Sequence, residues 1–139
     1  MINPSNTERV RLIKQKVLID TQPPEMLDAL ICQDAIIESP ANFNQLKGAR
    51  GLCFVIDYWK KAFPDVHSEW SQTEEKENGV VMIHWKAKGH HTGDDFFGTP
   101  ASGAPVSYSG RTTYQFDGNG QLTHYQVSID IDAIKAQLG

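Results

Sequence analysis

The sequence has no long hydrophobic run, no surplus of basic charge and no cysteine pattern, and each absence removes a class of function. No apolar stretch approaches the ~18 residues of a bilayer-crossing helix, so no membrane span is expected. The N-terminal segment lacks an apolar core followed by a small-residue cleavage site, and no secretory signal is expected either. The net charge is −4 and Lys and Arg form no patch, which argues against nucleic acid as a partner. Only two cysteines occur, Cys32 and Cys53, both in apolar segments and without metal-type spacing. They are expected to be reduced, buried and inert, as suits a cytoplasmic location. The acidic cluster of Glu74, Glu75 and Glu77 is interrupted by Lys76 and reads as a solvated hairpin tip rather than a metal site.

What is present points to a single domain over residues 1–139. Ser5 and Glu8 have capping-box spacing, and Val10, Ile13 and Val17 follow at helical period, predicting a first helix over residues 5–20. After Pro23 and Pro24, a short second helix is expected over residues 24–31. A short strand is expected over 34–39, ended by Pro40. Leu52, Val55, Ile56, Trp59 and Phe63 then make one wide apolar stripe after Gly48, and Pro64 stops that helix.

Beyond Pro64 the period changes to alternation. Residues 66–77 and 80–89 read as strands joined at Asn78-Gly79, a strong hairpin signal. Residues 106–116 and 121–129 form a second hairpin around Asp117-Gly118-Asn119-Gly120, and a helical tail covers 132–138. Between the hairpins lies a loop with glycine and proline, in which Gly89 and Gly93 are expected to supply the backbone angles of a sharp strand exit.

Helices first and strands later indicate an α+β fold. The expected form is a curved antiparallel sheet with helices covering one face and enclosing a pocket. Val81, Ile83, Trp85 and Ala87 share one strand face, as do Tyr125, Val127 and Ile129. His124, Gln126, Ser128 and Asp130 share the opposite face.

This element order resembles the nuclear transport factor 2-like superfamily, and the resemblance implies a cone-like curved antiparallel sheet with three N-terminal helices over its concave face. More specifically, the segments HWKAKGHHTG (84–93), FFGTPASG (96–103), VSYSG (106–110) and the QLG ending after Asp130 look like the SnoaL-like family of polyketide and ester cyclases. AFPD (62–65) fits the same pattern. The resemblance implies a cofactor-independent, metal-free intramolecular aldol reaction, in which an aspartate on the last strand takes a proton with help from a histidine on the neighbouring strand. Such chemistry suits a carboxylate whose pKa is raised in an apolar pocket, beside a donor for the nascent enolate.

Counted from both ends, the family's base position falls on Val127. The histidine position falls on Tyr114, and a polar position of the first strand falls on Ile37. Valine cannot accept a proton, so the fold transfers but the activity does not transfer by default. Asp130 is the tempting substitute for the base, but it lies on the outer face and reads as an N-cap of the tail helix, shared with Asp132. His90, His91, Asp94 and Asp95 could hold a metal but lack a ligand-set spacing, and no metal is expected. His91 matches a rim histidine of the family, and either contacts ligand or bonds loop backbone.

The ligand-binding residues expected are therefore Ile37, Trp59, Trp85, Tyr114, Tyr125 and Val127, with Tyr114 and His91 the candidates for a catalytic role. Trp59, Trp70 and Trp85 either face a ring-shaped ligand or pack the core. Tyr114 either donates to a ligand carbonyl or pairs with Tyr125. The expected partner is a small, mostly apolar molecule, in a homodimer formed through the outer sheet face. Three readings stay open: a lyase or isomerase with another acid or base, a non-catalytic pocket protein, and a dimeric scaffold. A cavity of at least ~300 Å³ would oppose the last.

Overall fold

The computed structural model describes residues 5–138. α1 (Asn6–Lys14) starts at its expected cap, the Ser5 hydroxyl accepting from the Glu8 backbone N–H at 3.2 Å. A second tie comes from the far hairpin. Glu75 accepts from the Thr7 backbone N–H at 2.9 Å and from the Thr7 hydroxyl at 2.8 Å. These bonds hold the Glu75 carboxyl below its usual range. The acidic hairpin tip is thus also a clamp on the start of α1.

The helix expected over 5–20 changes its winding after Lys14, where Gln15–Ile19 forms a π-helical turn. The helix expected over 24–31 shrinks to one 3₁₀ turn, Pro24–Leu27. The reason is long-range. Strand β1 (Ile31–Glu38) begins already at Ile31, because that residue pairs with Leu122 and the Leu30 carbonyl accepts from the Leu122 N–H at 2.8 Å. Asn42 then braces the way out of β1. Its amide donates to the Ile37 and Leu46 carbonyls at 2.8 and 3.0 Å, and its oxygen accepts from the Leu46 N–H at 3.0 Å.

α2 (Gly48–Ala62) buries Leu52 and Val55 on the expected stripe, and Phe63 is buried just beyond its end. Strands β2 (His67–Glu75) and β3 (Val80–His90) follow as a hairpin. Asn78 and Gly79 both have positive φ, +63° and +76°, as a two-residue turn of the I′ kind requires. Strands β4 (Pro105–Phe116) and β5 (Leu122–Ser128) form the second hairpin, and α3 (Ile131–Leu138) ends the described chain.

The five strands lie in the order β1-β5-β4-β3-β2. Three pairings are antiparallel, but β1 runs parallel to β5, so the sheet is mixed and unclosed rather than wholly antiparallel. A parallel pair needs a long crossover, and here α2 and the intervening strands supply it. Irregular register between Trp70 and Gln72 and between Gln115 and Phe116 adds local twist to the curved sheet.

Two apolar clusters hold the layers together. The larger joins Val10, Ile13 and Val17 to Leu52, Val55 and the inner strand residues Val81, Ile83 and Leu122. The smaller, around Phe63, Phe96, Val106, Ile134 and Leu138, seats α3 at the other end. α3 is fastened further by Gln137, which accepts from the Ser107 N–H and donates to the Ser107 carbonyl, both at 2.9 Å. Gly93 is needed for close approach rather than for a special backbone angle. A Cβ there would lie 1.8 Å from the Lys61 carbonyl oxygen, and neither Gly89 nor Gly93 has positive φ. No helix among the described residues is long and apolar enough to cross a membrane.

Candidate functional site

Alternation along the strands turns Trp70, Ile83, Trp85, Tyr108, Thr112, Tyr114, Tyr125 and Val127 toward one shared space. The register sets Trp70 opposite Trp85, Thr112 opposite Val127 and Tyr114 opposite Tyr125. Together with Lys14 and Leu18 from the first helical segment, and Ile56, Trp59 and Lys60 of α2, they line a cavity of about 140 Å³. That is below the volume of a drug-sized site, and close to the ~150 Å³ apolar cavity known to admit benzene. The space fits one ring.

The polar groups in this wall are few and oriented. The Trp85 indole N–H donates to the Thr112 hydroxyl at 2.9 Å. Trp85 lies against Gly110, where a Cβ would come within 2.5 Å of the indole, so glycine is what lets the ring lie flat on β4. The Tyr114 and Tyr125 rings meet edge to face with centroids 5.3 Å apart. Burial raises the Tyr114 phenol well above its ordinary pKa, and the neighbouring Tyr125 raises it further. Burial pushes Tyr125 up to about 12, the Thr112 hydroxyl opposing it, and burial likewise raises Tyr108. These phenols are proton donors at neutral pH, not bases. Among the described residues, no side chain or backbone group hydrogen-bonds the Tyr108 or Tyr114 hydroxyl. Among the described residues, no aspartate, glutamate or histidine lines the cavity.

Of the residues singled out from sequence, Trp59, Trp85, Tyr114, Tyr125 and Val127 meet at this cavity, and Ile37 does not line it. Ile37 is buried in the larger cluster, opposite Tyr125 in register and against Gly51 of α2. His91 is fully buried away from the cavity. Its Nε2 meets the Asp94 carbonyl at 2.7 Å, its ring packs on Phe63, and its Nδ1 has no partner. The backbone-bonding role is the one it fills. The other polar loop residues disperse: His90 pairs with Asp65 at 2.7 Å, and Asp95 accepts from the Gly98 N–H. Asp130 caps α3 by accepting from the Ala133 N–H at 3.1 Å. Both cysteines are half-buried rather than buried, and burial raises both thiols, which keeps them protonated.

The cavity also takes in Lys14, Tyr108 and Thr112, which the sequence does not mark as binding residues, and Trp70, which it marks only as one of three tryptophans. Strand alternation could have found three of them, since Trp70 shares a face with Ser68, and Tyr108 and Thr112 share one with Tyr114. Lys14 gives no such signal, because a lysine on an amphipathic helix ordinarily faces water.

An open, curved sheet wrapped around an aromatic cavity beneath two helices defines a nuclear transport factor 2-like domain. A profile of the SnoaL-like polyketide cyclase family matches residues 8–138, and the chain belongs to that family. A search of the curated proteins finds no match. Among solved structures, the chain is similar to a proposed polyketide cyclase from Acidithiobacillus ferrooxidans, at 23% identity and a TM-score of 0.74 over 99% of this chain and 96% of that one. It is similar also to IdmH, a proposed polyketide cyclase from Streptomyces antibioticus, at 20% identity and a TM-score of 0.74 over 98% and 99% of the two chains. TsrD from Streptomyces laurentii matches at 16% identity and a TM-score of 0.78 over 100% and 98%. At these identities the likeness is one of fold.

Proposed function

We propose that this chain is a SnoaL-like pocket protein for a small, mostly apolar cyclic or carbonyl-bearing molecule. The observation that carries the reading is the composition of the cavity wall, which has indoles and phenols but neither carboxylate nor imidazole. An aldol cyclisation needs a group that accepts a proton from carbon. In this reading the family's base position is Val127 and its histidine position is Tyr114. The site keeps its shape and a hydrogen-bond donor while lacking the family's base. Tyr114, unpartnered and protonated, donates to a ligand carbonyl. The small volume does not by itself oppose a scaffold reading, so the unpaired phenols carry more weight than size.

Native mass spectrometry of the gently purified protein tests this. An adduct of a few hundred daltons or less supports the pocket, and its mass identifies the ligand class. An adduct-free protein that also gives no shift with a panel of single-ring carbonyl compounds overturns the pocket in favour of a scaffold. One observation favours turnover instead: a buried phenol can polarise a carbonyl as an oxyanion donor does. Product formation from such a compound, lost in Tyr114→Phe, would select that reading.

The same proposal includes a cytoplasmic homodimer through the outer sheet face. That face is polar along β5, with Gln126 and Ser128 exposed, and has the exposed Ile36 on the adjoining edge strand. Sedimentation as a monomer at micromolar concentration would overturn the dimer.

A further inference from the structure

The cavity wall contains a cation that a wholly apolar ligand would leave unmatched. Lys14 is the last residue of α1, and its ammonium stands 5.5 Å from the centroid of the Trp70 ring, itself a wall of the cavity. The Arg11 guanidinium lies over the same ring at 5.5 Å without lining the cavity. Among the described residues, no ion pair within 4 Å and no hydrogen bond engages the Lys14 ammonium. Glu69 acts on it only from further away, and burial lowers its pKa more than Glu69 raises it. Lys60, the other amine at the wall, is already committed, donating to the Leu18 carbonyl at 2.9 Å.

The remaining groups ask for the same thing as Lys14. An ammonium only donates, and the Tyr108 and Tyr114 hydroxyls have their protons to give. The Trp85 N–H is used by Thr112. The site is rich in donors and has no acidic acceptor, so the complementary ligand presents an acceptor. An anionic one suits best, since it offsets a partly desolvated positive charge with no ion-pair partner in the wall. Volume limits the rest of the ligand to about one ring.

We propose that the cavity takes a single-ring organic anion, the ring among the indoles and phenols and its charged oxygen on Lys14. This rests on the pocket reading and makes it narrower: Lys14 selects charge, and Tyr114 serves any oxygen on the ring. Lys14 is a specificity-determining residue that sequence position alone would assign to solvent.

The test uses two probes of like shape, benzoate and benzyl alcohol, titrated calorimetrically into the whole chain, into Lys14→Met and into Lys14→Arg. The wild type is expected to bind benzoate at least tenfold more tightly than benzyl alcohol. Lys14→Met should erase that preference by weakening benzoate at least tenfold more than benzyl alcohol, and Lys14→Arg should restore part of it. Equal affinities in the wild type, or a preference that survives Lys14→Met, overturn the role of Lys14 and leave the pocket standing. Failure of both probes to bind wild type at millimolar concentration overturns the pocket and this inference with it.

Discussion

Tyr114 and Tyr125 face each other across the β4–β5 pair with ring centroids 5.3 Å apart and planes at 80°. The edge of one ring thus meets the face of the other, the favoured aromatic arrangement. Burial keeps both phenols protonated well past neutrality, Tyr125 up to about 12.

Ionisation of these phenols should weaken the fold in alkali. A phenol whose folded pKa exceeds its unfolded value of ~10 contributes stability that is fully present below pH ~10. That contribution is lost as pH rises through the folded value. Phenolate absorbance should therefore show Tyr125 ionising near pH 12 and not earlier. Tyr125→Phe should hold its stability further into alkali than wild type. Ionisation of Tyr125 at the ordinary value would mean the cavity is wet.

Gly110→Ala tests the contact that flattens Trp85 on the sheet. A Cβ within 2.5 Å of the indole forces the ring away and strains its bond to Thr112. Overpacking of this kind costs about 1–3 kcal/mol. Urea denaturation should report that loss together with altered tryptophan fluorescence, and unchanged stability would mean Trp85 is freer than its packing indicates.

Val127→Asp restores a carboxyl to the proposed base position. In a Lys14→Met background, which removes the wall amine that no hydrogen bond engages and leaves Lys60 on the Leu18 carbonyl, desolvation should lift its pKa above ~5, read by carbon NMR titration. A raised folded pKa means the variant is least penalised below ~3.9 and loses stability as pH rises through the new value. The loss is about 1.4 kcal/mol for each tenfold gain in the carboxylate's proton affinity on folding. A carboxyl that titrates near ~3.9 would show Val127 to be in contact with bulk water.

Asp130→Ala separates capping from chemistry. Loss of the bond to the Ala133 N–H should cost about 1 kcal/mol in thermal unfolding, largely recovered by Asp130→Asn. Probe binding in the cavity should not change, and a loss of binding without a loss of stability would reopen Asp130 as a site residue.

The parts of the fold set by neighbouring residues are legible in the sequence. The α2 stripe, the Asn78-Gly79 turn and the Asp130 cap each depend on contacts within a few positions. The parts set at a distance are not. Nothing near Ile31 announces that it will pair with Leu122, so a segment with helical residues reads as a helix rather than as the start of β1. The site divides the same way. Strand alternation brings Trp85, Tyr114, Tyr125 and Val127 to the cavity and the α2 stripe brings Trp59, whereas Ile37 follows a positional correspondence and lies in the core. The motifs that carry the family resemblance prove mostly structural here: Gln137 fastens α3, Asp65 holds His90, and Gly93 admits the Lys61 carbonyl. Lys14 is hidden because the direction of its side chain follows from where α1 crosses the sheet.

The parallel pairing of β1 with β5 also fixes when the cavity can come into being. β1 is made before the other described strands, but among the described residues its one neighbour in the sheet is β5, which is made after them. Until Leu122–Ser128 emerges, the buried residues of β1 and the stripe of α2 must wait without the sheet that covers them. Contacts of such long sequence separation slow folding and leave apolar surface open to aggregation in the meantime. Shortening the chain within β5 should accordingly yield an insoluble product rather than a smaller folded domain.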